Sequence, residues 1–201
     1  MSRLCKRAGA KLIFDEIPSG LGKTGRFFAH EHYDVRPDLV VLGKALGGGI
    51  LPVAAVLAHK HMAVAPELTL GHYTHEKNPV TSRAALTTIE IIEDERLVEQ
   101  AEHLGQYTAT YLKDRLKDQP LSPLGEVRGL GLMLALTLQP GKLPAGVSSE
   151  DLVKQAMQKG VSTTSKDAMA IGFSPPLVIS EQEVRLAIDR VMGAAATQGP
   201  P

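Results

Sequence analysis

Residues 12–49 read LIFDEIPSGLGKTGRFFAHEHYDVRPDLVVLGKALGGG, and this stretch decides the fold. An apolar run at 11–14 precedes the acids Asp15 and Glu16, and a second apolar run at 39–43 leads to Lys44. A third apolar run follows at 53–58. None of the three runs alternates strictly between apolar and polar residues, which is typical of strands buried on both faces of a sheet. The glycines between the runs indicate a loop. The pattern predicts two neighbouring strands. The first ends at an acid, and the second ends just before a lysine.

An acid and a lysine at the ends of neighbouring strands suit pyridoxal phosphate chemistry. The lysine forms a Schiff base with the cofactor aldehyde, and the acid keeps the pyridine nitrogen protonated. Lys44 follows Asp15 by 29 residues (44 − 15 = 29). Taken alone, Lys44 could be a surface lysine and Asp15 a solvated acid that caps the next turn, but their combination favours the cofactor roles. We interpret Glu16 as a structural hydrogen-bonding partner.

The same stretch resembles the signature of the class III pyridoxal phosphate-dependent aminotransferases, the ornithine and 4-aminobutyrate aminotransferase group. It contains the Asp-Glu pair, a Gly-x-Gly-Lys-Thr-Gly loop, a Pro-Asp strand start and a Gly-Lys-x-x-Gly-Gly segment. The resemblance continues to about residue 192, through HYTHEKNP at 72–79, VRGLGL at 127–132 and FSPPL at 173–177.

The resemblance implies a fold of the aspartate aminotransferase-like type, fold type I. Alternating strand and helix patterns up to about residue 95 also favour an α/β sheet. We expect part of the large cofactor-binding α/β domain, with a mainly parallel sheet, at 1–99, and a small α+β C-terminal domain at 100–193. Residues 194–201 are predicted to be a disordered tail.

The resemblance also assigns roles at the site. It makes Lys44 the Schiff-base lysine and Asp15 the partner of the pyridine nitrogen, both catalytic. Ile17 is expected to pack against one face of the cofactor ring. Thr74 matches a threonine that reaches the cofactor phosphate across a dimer interface, which implies a homodimer. Pro18 departs from the family, because many members carry there a glutamine near the phenolic oxygen of the cofactor, and proline offers no donor.

A second departure concerns substrate recognition. In most members that handle amino acids, an arginine stands three residues before the Pro-Pro pair and binds the substrate carboxylate, whereas this chain has Gly172 there. Glycine cannot replace a bidentate arginine. Either the substrate lacks that carboxylate or another group binds it.

Three functions follow from these observations. The first is transfer of an amino group from an amine or amino acid to an oxoacid. The second is a racemase or an ammonia- or phospho-lyase that uses the same cofactor. The third is a non-catalytic fragment, because family members are longer and the half that carries their phosphate-binding turn is not in this sequence; on this basis we expect the chain alone not to catalyse.

Composition excludes other classes. The formal net charge is +0 and there is no basic run, which argues against a nucleic-acid partner. No apolar stretch approaches the roughly 20 residues of a membrane span. The single cysteine, Cys5, excludes an intrachain disulfide and favours a cytoplasmic location. The histidines at 59, 61, 72 and 75 lack the further ligands that a metal site needs, so we expect no metal.

Local signals predict the elements of the second half. Asn78 and Pro79 favour a helix start, and apolar residues at spacings of three and four continue the helical pattern through Tyr111. A strand is predicted from Leu130 to Leu138. Capping patterns then predict two more helices, one opened by Ser148 with Asp151 and ending at Gly160, and one opened by Ser180 with Glu183.

Overall fold

A computed structural model describes residues 1–64, 67, 73–119, 122–143 and 146–196. The chain divides into two compact units, Met1–Val98 and Glu99–Pro201. No helix of the described residues is long and apolar enough to cross a membrane.

The first unit contains a three-stranded sheet in the order β1-β2-β3. The pairing of β1 with β2 is parallel and that of β2 with β3 is antiparallel. The described sheet is therefore an even mixture, where the sequence predicted a mainly parallel one. The strands and helices of this unit are α1 (Ser2–Ala8), β1 (Ile13–Asp15), β2 (Leu39–Leu42), β3 (Ala55–Ala58) and α2 (Pro79–Asp94).

Three 3-10 helices connect these elements, at Ala29–Tyr33, Lys44–Gly47 and Lys60–Met62. Each is at most five residues long, which is too short for a periodic pattern to indicate it in the sequence. The one at Lys44–Gly47 packs against α2.

The outer strands are more exposed than the sequence predicts. Ile13 of β1 is 57% exposed and Val56 of β3 is 59% exposed, whereas Val40 and Leu42 of β2 are buried. In the described sheet β1 and β3 each have a neighbour on one side only, and β2 has neighbours on both. Burial on both faces was therefore the wrong expectation for the two outer strands.

The predicted helical pattern after Pro79 forms two helices. Asn78 caps α2 as expected, because its side-chain oxygen accepts hydrogen bonds from the backbone N–H groups of Val80 and Thr81. The helix ends at Asp94, and Arg96 has a φ of 53° that breaks the helical path. A new helix, α3, then runs over Leu97–Lys117.

The second unit has a four-stranded antiparallel sheet in the order β4-β5-β7-β6. The strand predicted at 130–138 is instead the second half of a hairpin, and the last two strands were not predicted. Besides the greater part of α3, the elements are β4 (Leu124–Leu130), β5 (Met133–Leu138), α4 (Ser149–Gln158), β6 (Thr164–Asp167), β7 (Ala170–Phe173) and α5 (Glu181–Ala196), with a 3-10 helix at Pro140–Lys142.

The core of this unit forms between the sheet and the apolar faces of its helices. Alternate residues of β5 are buried, which is the pattern of a strand with one face in a core. The backbone of Gly131 comes so close to α3 that a Cβ at Gly105 would overlap it. Among the fully buried side chains are Leu112, Leu132, Leu136, Leu152, Ile171, Ile188 and Met192.

The capping predictions are confirmed at both helices. Ser148 and Asp151 form a reciprocal capping box, and Glu183 accepts hydrogen bonds from the backbone N–H and the hydroxyl of Ser180. The predicted tail at 194–201 begins too early, because α5 continues to Ala196 and buries Ala194 and Ala195 in the core. Residues 197–201 lie outside the described residues.

Candidate active site

The parallel pairing of β1 with β2 brings Asp15 and Lys44 to the same end of the sheet. Asp15 is the last residue of β1 and pairs in register with Val41. Strand β2 ends at Leu42, and Lys44 follows after Gly43. The carboxyl ends of parallel strands are where α/β sheets bind ligands. Asp15 is exposed, and its carboxylate accepts a hydrogen bond from the backbone N–H of Ile17 at 3.1 Å.

Glu16 has the structural role that the sequence predicted. Its side chain is only 3% exposed. One carboxylate oxygen accepts a hydrogen bond from the backbone N–H of Ala29 at 2.7 Å. The other accepts from the backbone N–H of His30 at 2.9 Å and from its ring Nδ1 at 2.7 Å. One buried carboxylate thus accepts all three hydrogen bonds. Because these donors belong to Ala29 and His30, Glu16 connects the end of β1 to the loop that contains them.

Lys44 adopts an unusual backbone conformation. Its φ is 45°, and it is one of five non-glycine residues with positive φ in the described part of the chain. This left-handed conformation costs an L-residue about 1 kcal/mol, and such residues are common at functional sites. The short helix that begins at Lys44 stabilises this conformation, since the backbone N–H of Leu46 donates a hydrogen bond to the carbonyl of Gly43 at 3.0 Å.

Lys44 and Ile17 line one shallow depression of about 560 Å³ in the first unit. Its other lining residues are Gly43, Pro52, Val53 and Ala54. A Cβ at Gly43 would lie 3.6 Å from the side chain of Ile17, so the glycine keeps the floor of the depression low. An exposed amine beside an apolar wall fits an aromatic aldehyde such as pyridoxal phosphate.

The structure does not bring all the predicted residues together. Among the described residues, those that line the depression do not include Asp15 or Thr74. Thr74 is an exposed turn residue between Tyr73 and Asn78. His72, one of the histidines weighed as a metal ligand, lies outside the described residues.

Two histidines form a hydrogen-bonded chain at the other end of the strands. His61 Nε2 lies 2.7 Å from a carboxylate oxygen of Asp38, and His61 Nδ1 lies 2.6 Å from His59 Nδ1. Asp38 also accepts a hydrogen bond from the backbone N–H of Leu12, and this bond is the main reason why the pKa of Asp38 is below its ordinary value. No group of three or more metal-binding side chains occurs in the part of the chain that the structure describes.

Lys23 of the glycine-rich loop is half-buried, and burial lowers its pKa to about 8. Its neighbours Leu21 and Thr24 are buried as well.

Gly172 lies on β7 in the second unit, and the side chain of Lys166 passes over it. A Cβ at this position would overlap the Cε of Lys166 and would lie 2.9 Å from the hydroxyl of Thr164. The hydroxyl of Thr163 donates a hydrogen bond to the carbonyl of Gly172. The position of Lys166 next to Gly172 was not predicted, because the polar segment at 164–167 lacks the alternation of apolar and polar residues that indicates a strand.

The site defines a class of protein: an α/β protein with a lysine and an acid at the ends of two parallel strands. The chain belongs to the aminotransferase class-III family, whose model matches residues 1–194.

Known proteins agree with this assignment. The chain is 36% identical over 194 residues to the ornithine aminotransferase of Saccharomyces cerevisiae, covering 95% of this chain and 45% of that protein. It is 35% identical over 188 residues to the (R)-1-hydroxy-2-aminoethylphosphonate ammonia-lyase of Vibrio splendidus, covering 92% of this chain and 39% of that protein.

A solved structure gives the same result for the fold. The amine transaminase of an uncultivated Pseudomonas species, in its pyridoxal phosphate-bound form, has a TM-score of 0.87 and 28% identity, covering 98% of this chain and 47% of that one. The chain thus spans less than half the length of these relatives.

We predict that Glu16 holds the loop after β1 in place. Glu16→Ala should lower the free energy of unfolding by about 3 kcal/mol, because it leaves three donors without their acceptor. Urea unfolding followed by circular dichroism measures this change. The control is Glu31→Ala. Glu31 is exposed and its carboxylate accepts one hydrogen bond, from the backbone N–H of Phe28, so its removal should lower the free energy of unfolding by less than about 1 kcal/mol. Equal losses in the two variants would contradict the prediction.

Proposed function

We propose that the full-length protein is a pyridoxal phosphate-dependent aminotransferase that moves an amino group from an amine or amino acid to an oxoacid. The observation that carries this proposal is the position of Lys44, which follows β2 in a left-handed conformation and lines the same depression as Ile17. Membership of the class III family supports it. A cytoplasmic site of action is part of the proposal, supported by the unpaired Cys5.

In this proposal each residue has a defined task. When bound, the cofactor supplies an aldehyde that links to an amine and a ring that accepts electrons. Lys44 Nζ holds the cofactor between turnovers, and then takes the proton from the substrate carbon that bears the amine. The Asp15 carboxylate holds a proton on the ring nitrogen. Ile17 supports one face of the ring and excludes water from it.

We predict that Lys44 carries the cofactor and that Asp15 tunes it. Borohydride reduction of the full-length protein should fix the cofactor to Lys44 Nζ, detected by peptide mass spectrometry. Lys44→Ala should abolish this fixation, and the control Lys60→Ala should not. Asp15→Asn should retain fixation but slow turnover by roughly 100-fold, because the ring accepts electrons less well. Fixation at another lysine, or normal turnover of Asp15→Asn, would reject the assignment.

A second candidate function is an ammonia- or phospho-lyase, or a racemase, with the same Lys44 and Asp15. Two observations favour the lyase. Gly172 provides no guanidinium for a substrate carboxylate, and the chain is similar to an ammonia-lyase named for a phosphonate substrate. The proton chemistry at Lys44 is shared by both reactions, so the difference lies in what leaves the substrate.

The two candidates differ in their need for an amino acceptor. An aminotransferase stops after one half-reaction when no oxoacid is present, because the amino group stays on the cofactor. We therefore expect the full-length protein to turn over an amine continuously only when an oxoacid such as pyruvate is added, with stoichiometric alanine formed. Continuous release of free ammonia without an oxoacid would instead establish the lyase, and inversion of the substrate without either product would establish the racemase.

We also propose that the full-length protein is a homodimer in which Thr74 binds the cofactor phosphate of the partner subunit. The exposed turn that holds Thr74, just before α2, supports this proposal. Thr74→Ala should weaken cofactor binding about tenfold, because a phosphate oxygen loses a hydroxyl donor, whereas the control Thr110→Ala should not. Equilibrium dialysis measures the cofactor affinity, and sedimentation measures the mass. A fully active monomer would contradict the proposal.

A further inference from the structure

One histidine of the first unit contacts both sequence neighbours of Asp15. The ring of His30 stacks on that of Phe14, with 5.8 Å between the ring centroids and 6° between the planes. Its Nδ1 donates a hydrogen bond to a carboxylate oxygen of Glu16 at 2.7 Å, and its backbone N–H donates to the same oxygen at 2.9 Å. His30 therefore contacts the residue before Asp15 and the residue after it.

The backbone from Phe14 to Glu16 is extended, so the three side chains alternate between the two faces of the strand. Phe14 and Asp15 pair in register with β2, and the backbone N–H of Glu16 continues this ladder with a hydrogen bond to the carbonyl of Val41 at 2.9 Å. Phe14 and Glu16 thus lie on the face that His30 covers, and Asp15 points to the opposite face, where it is exposed. The contacts of its two neighbours therefore determine the direction of the Asp15 side chain.

His30 is itself fixed by its surroundings. Its ring also stacks on that of Phe28, with 5.4 Å between the centroids and 26° between the planes. The backbone N–H of Phe28 donates to the carboxylate of Glu31 at 3.0 Å, which caps the short helix that carries His30. The side chain of His30 is 15% exposed and that of Glu16 is 3% exposed. Because water is largely excluded, the hydrogen bond between them is stronger than one at the surface.

We propose that His30 is a positioning residue for Asp15: through Phe14 and Glu16 it fixes the direction in which β1 presents the Asp15 carboxylate to the ring nitrogen of the cofactor. This inference rests on the proposed function, which assigns that nitrogen to Asp15. A hydrogen bond weakens steeply when its donor and acceptor are misaligned. A displacement of about 1 Å caused by a residue outside the reacting groups can slow a reaction by roughly 100-fold.

Two variants of His30 separate its two contacts. His30→Phe keeps an aromatic ring between Phe14 and Phe28 but has no side-chain donor for Glu16. His30→Asn keeps an N–H donor, because the amide nitrogen can take the place of Nδ1, but it loses the ring. In the cofactor-loaded full-length protein we expect kcat to fall about tenfold in His30→Phe and about threefold in His30→Asn. KM for the amine should stay within about twofold, because Asp15 acts on the cofactor and not on the substrate.

The matched control is His32→Phe on the same short helix. His32 Nε2 lies 3.1 Å from the carbonyl oxygen and 3.1 Å from the hydroxyl of Thr24, so this variant removes hydrogen bonds without touching a neighbour of Asp15. We expect its kcat to equal that of the unmodified protein. Unchanged kcat in both His30 variants, or an equal loss in the control, would overturn the proposal.

The protonation of the ring nitrogen gives a readout that does not depend on turnover. With an isotopically labelled ring nitrogen in the bound cofactor, the nitrogen resonance should move in His30→Phe from the position of a protonated pyridine toward that of an unprotonated one, as in Asp15→Asn. It should not move in His32→Phe. A loss of stability alone leaves this resonance in place, and urea unfolding measures that loss separately. If His30→Phe does not fold, His30→Asn serves in the same comparison. An unshifted resonance contradicts the proposed role.

The double variant with Asp15→Asn separates this inference from the proposed function. Because both residues act at the same nitrogen, His30→Phe should lower kcat by less than about twofold when Asp15 is already replaced. A further loss of about tenfold would overturn the role of His30 and leave the assignments of Asp15 and Lys44 intact. Normal turnover of Asp15→Asn, or borohydride fixation at a lysine other than Lys44, would instead reject the proposed function, and this inference with it.

Discussion

The parallel pairing of β1 with β2 is the constraint on which the candidate active site depends. Two strands that run in the same direction end on the same side, so a residue at the end of one lies near a residue that follows the other. The register that pairs Asp15 with Val41 fixes how far apart the two ends are along the sheet. A shift of one residue would turn Asp15 to the opposite face, because successive side chains alternate. The geometry of the candidate site thus depends on backbone hydrogen bonds between residues outside that site.

The elements after each strand keep those ends in place. Beyond β1, the buried carboxylate of Glu16 gathers three donors of the returning loop. Beyond β2, the short helix that begins at Lys44 packs against α2. Gly48 permits this packing, because a Cβ on Gly48 would lie only 3.1 Å from the hydroxyl oxygen of Thr88. A left-handed lysine is unfavourable by itself, so its neighbours must hold it. The glycines after Lys44 therefore serve packing as well as turning.

Residue patterns predicted the parts of the fold that local chemistry controls. The cap at Asn78 and the boxes at Ser148 and Ser180 depend on residues within three positions of each other, and all are confirmed. The patterns failed where tertiary context decides. The segment TSKD at 164–167 is too polar and too short to indicate a strand, and it becomes one because β7 supplies its hydrogen bonds. Similarly, one arginine in left-handed conformation divides a continuous helical pattern into α2 and α3.

The exchange at position 172 shows why a single position cannot be interpreted without its neighbours. In the sequence, Gly172 in place of an arginine removes a positive charge, and the local pattern does not show another cation in its place. In the structure the same glycine leaves room for the side chain of Lys166 on the adjacent strand, because a Cβ at Gly172 would overlap the Cε of this lysine. The residue type at position 172 is therefore explained by the strand that pairs with it, and a pattern within the local sequence cannot show that neighbour.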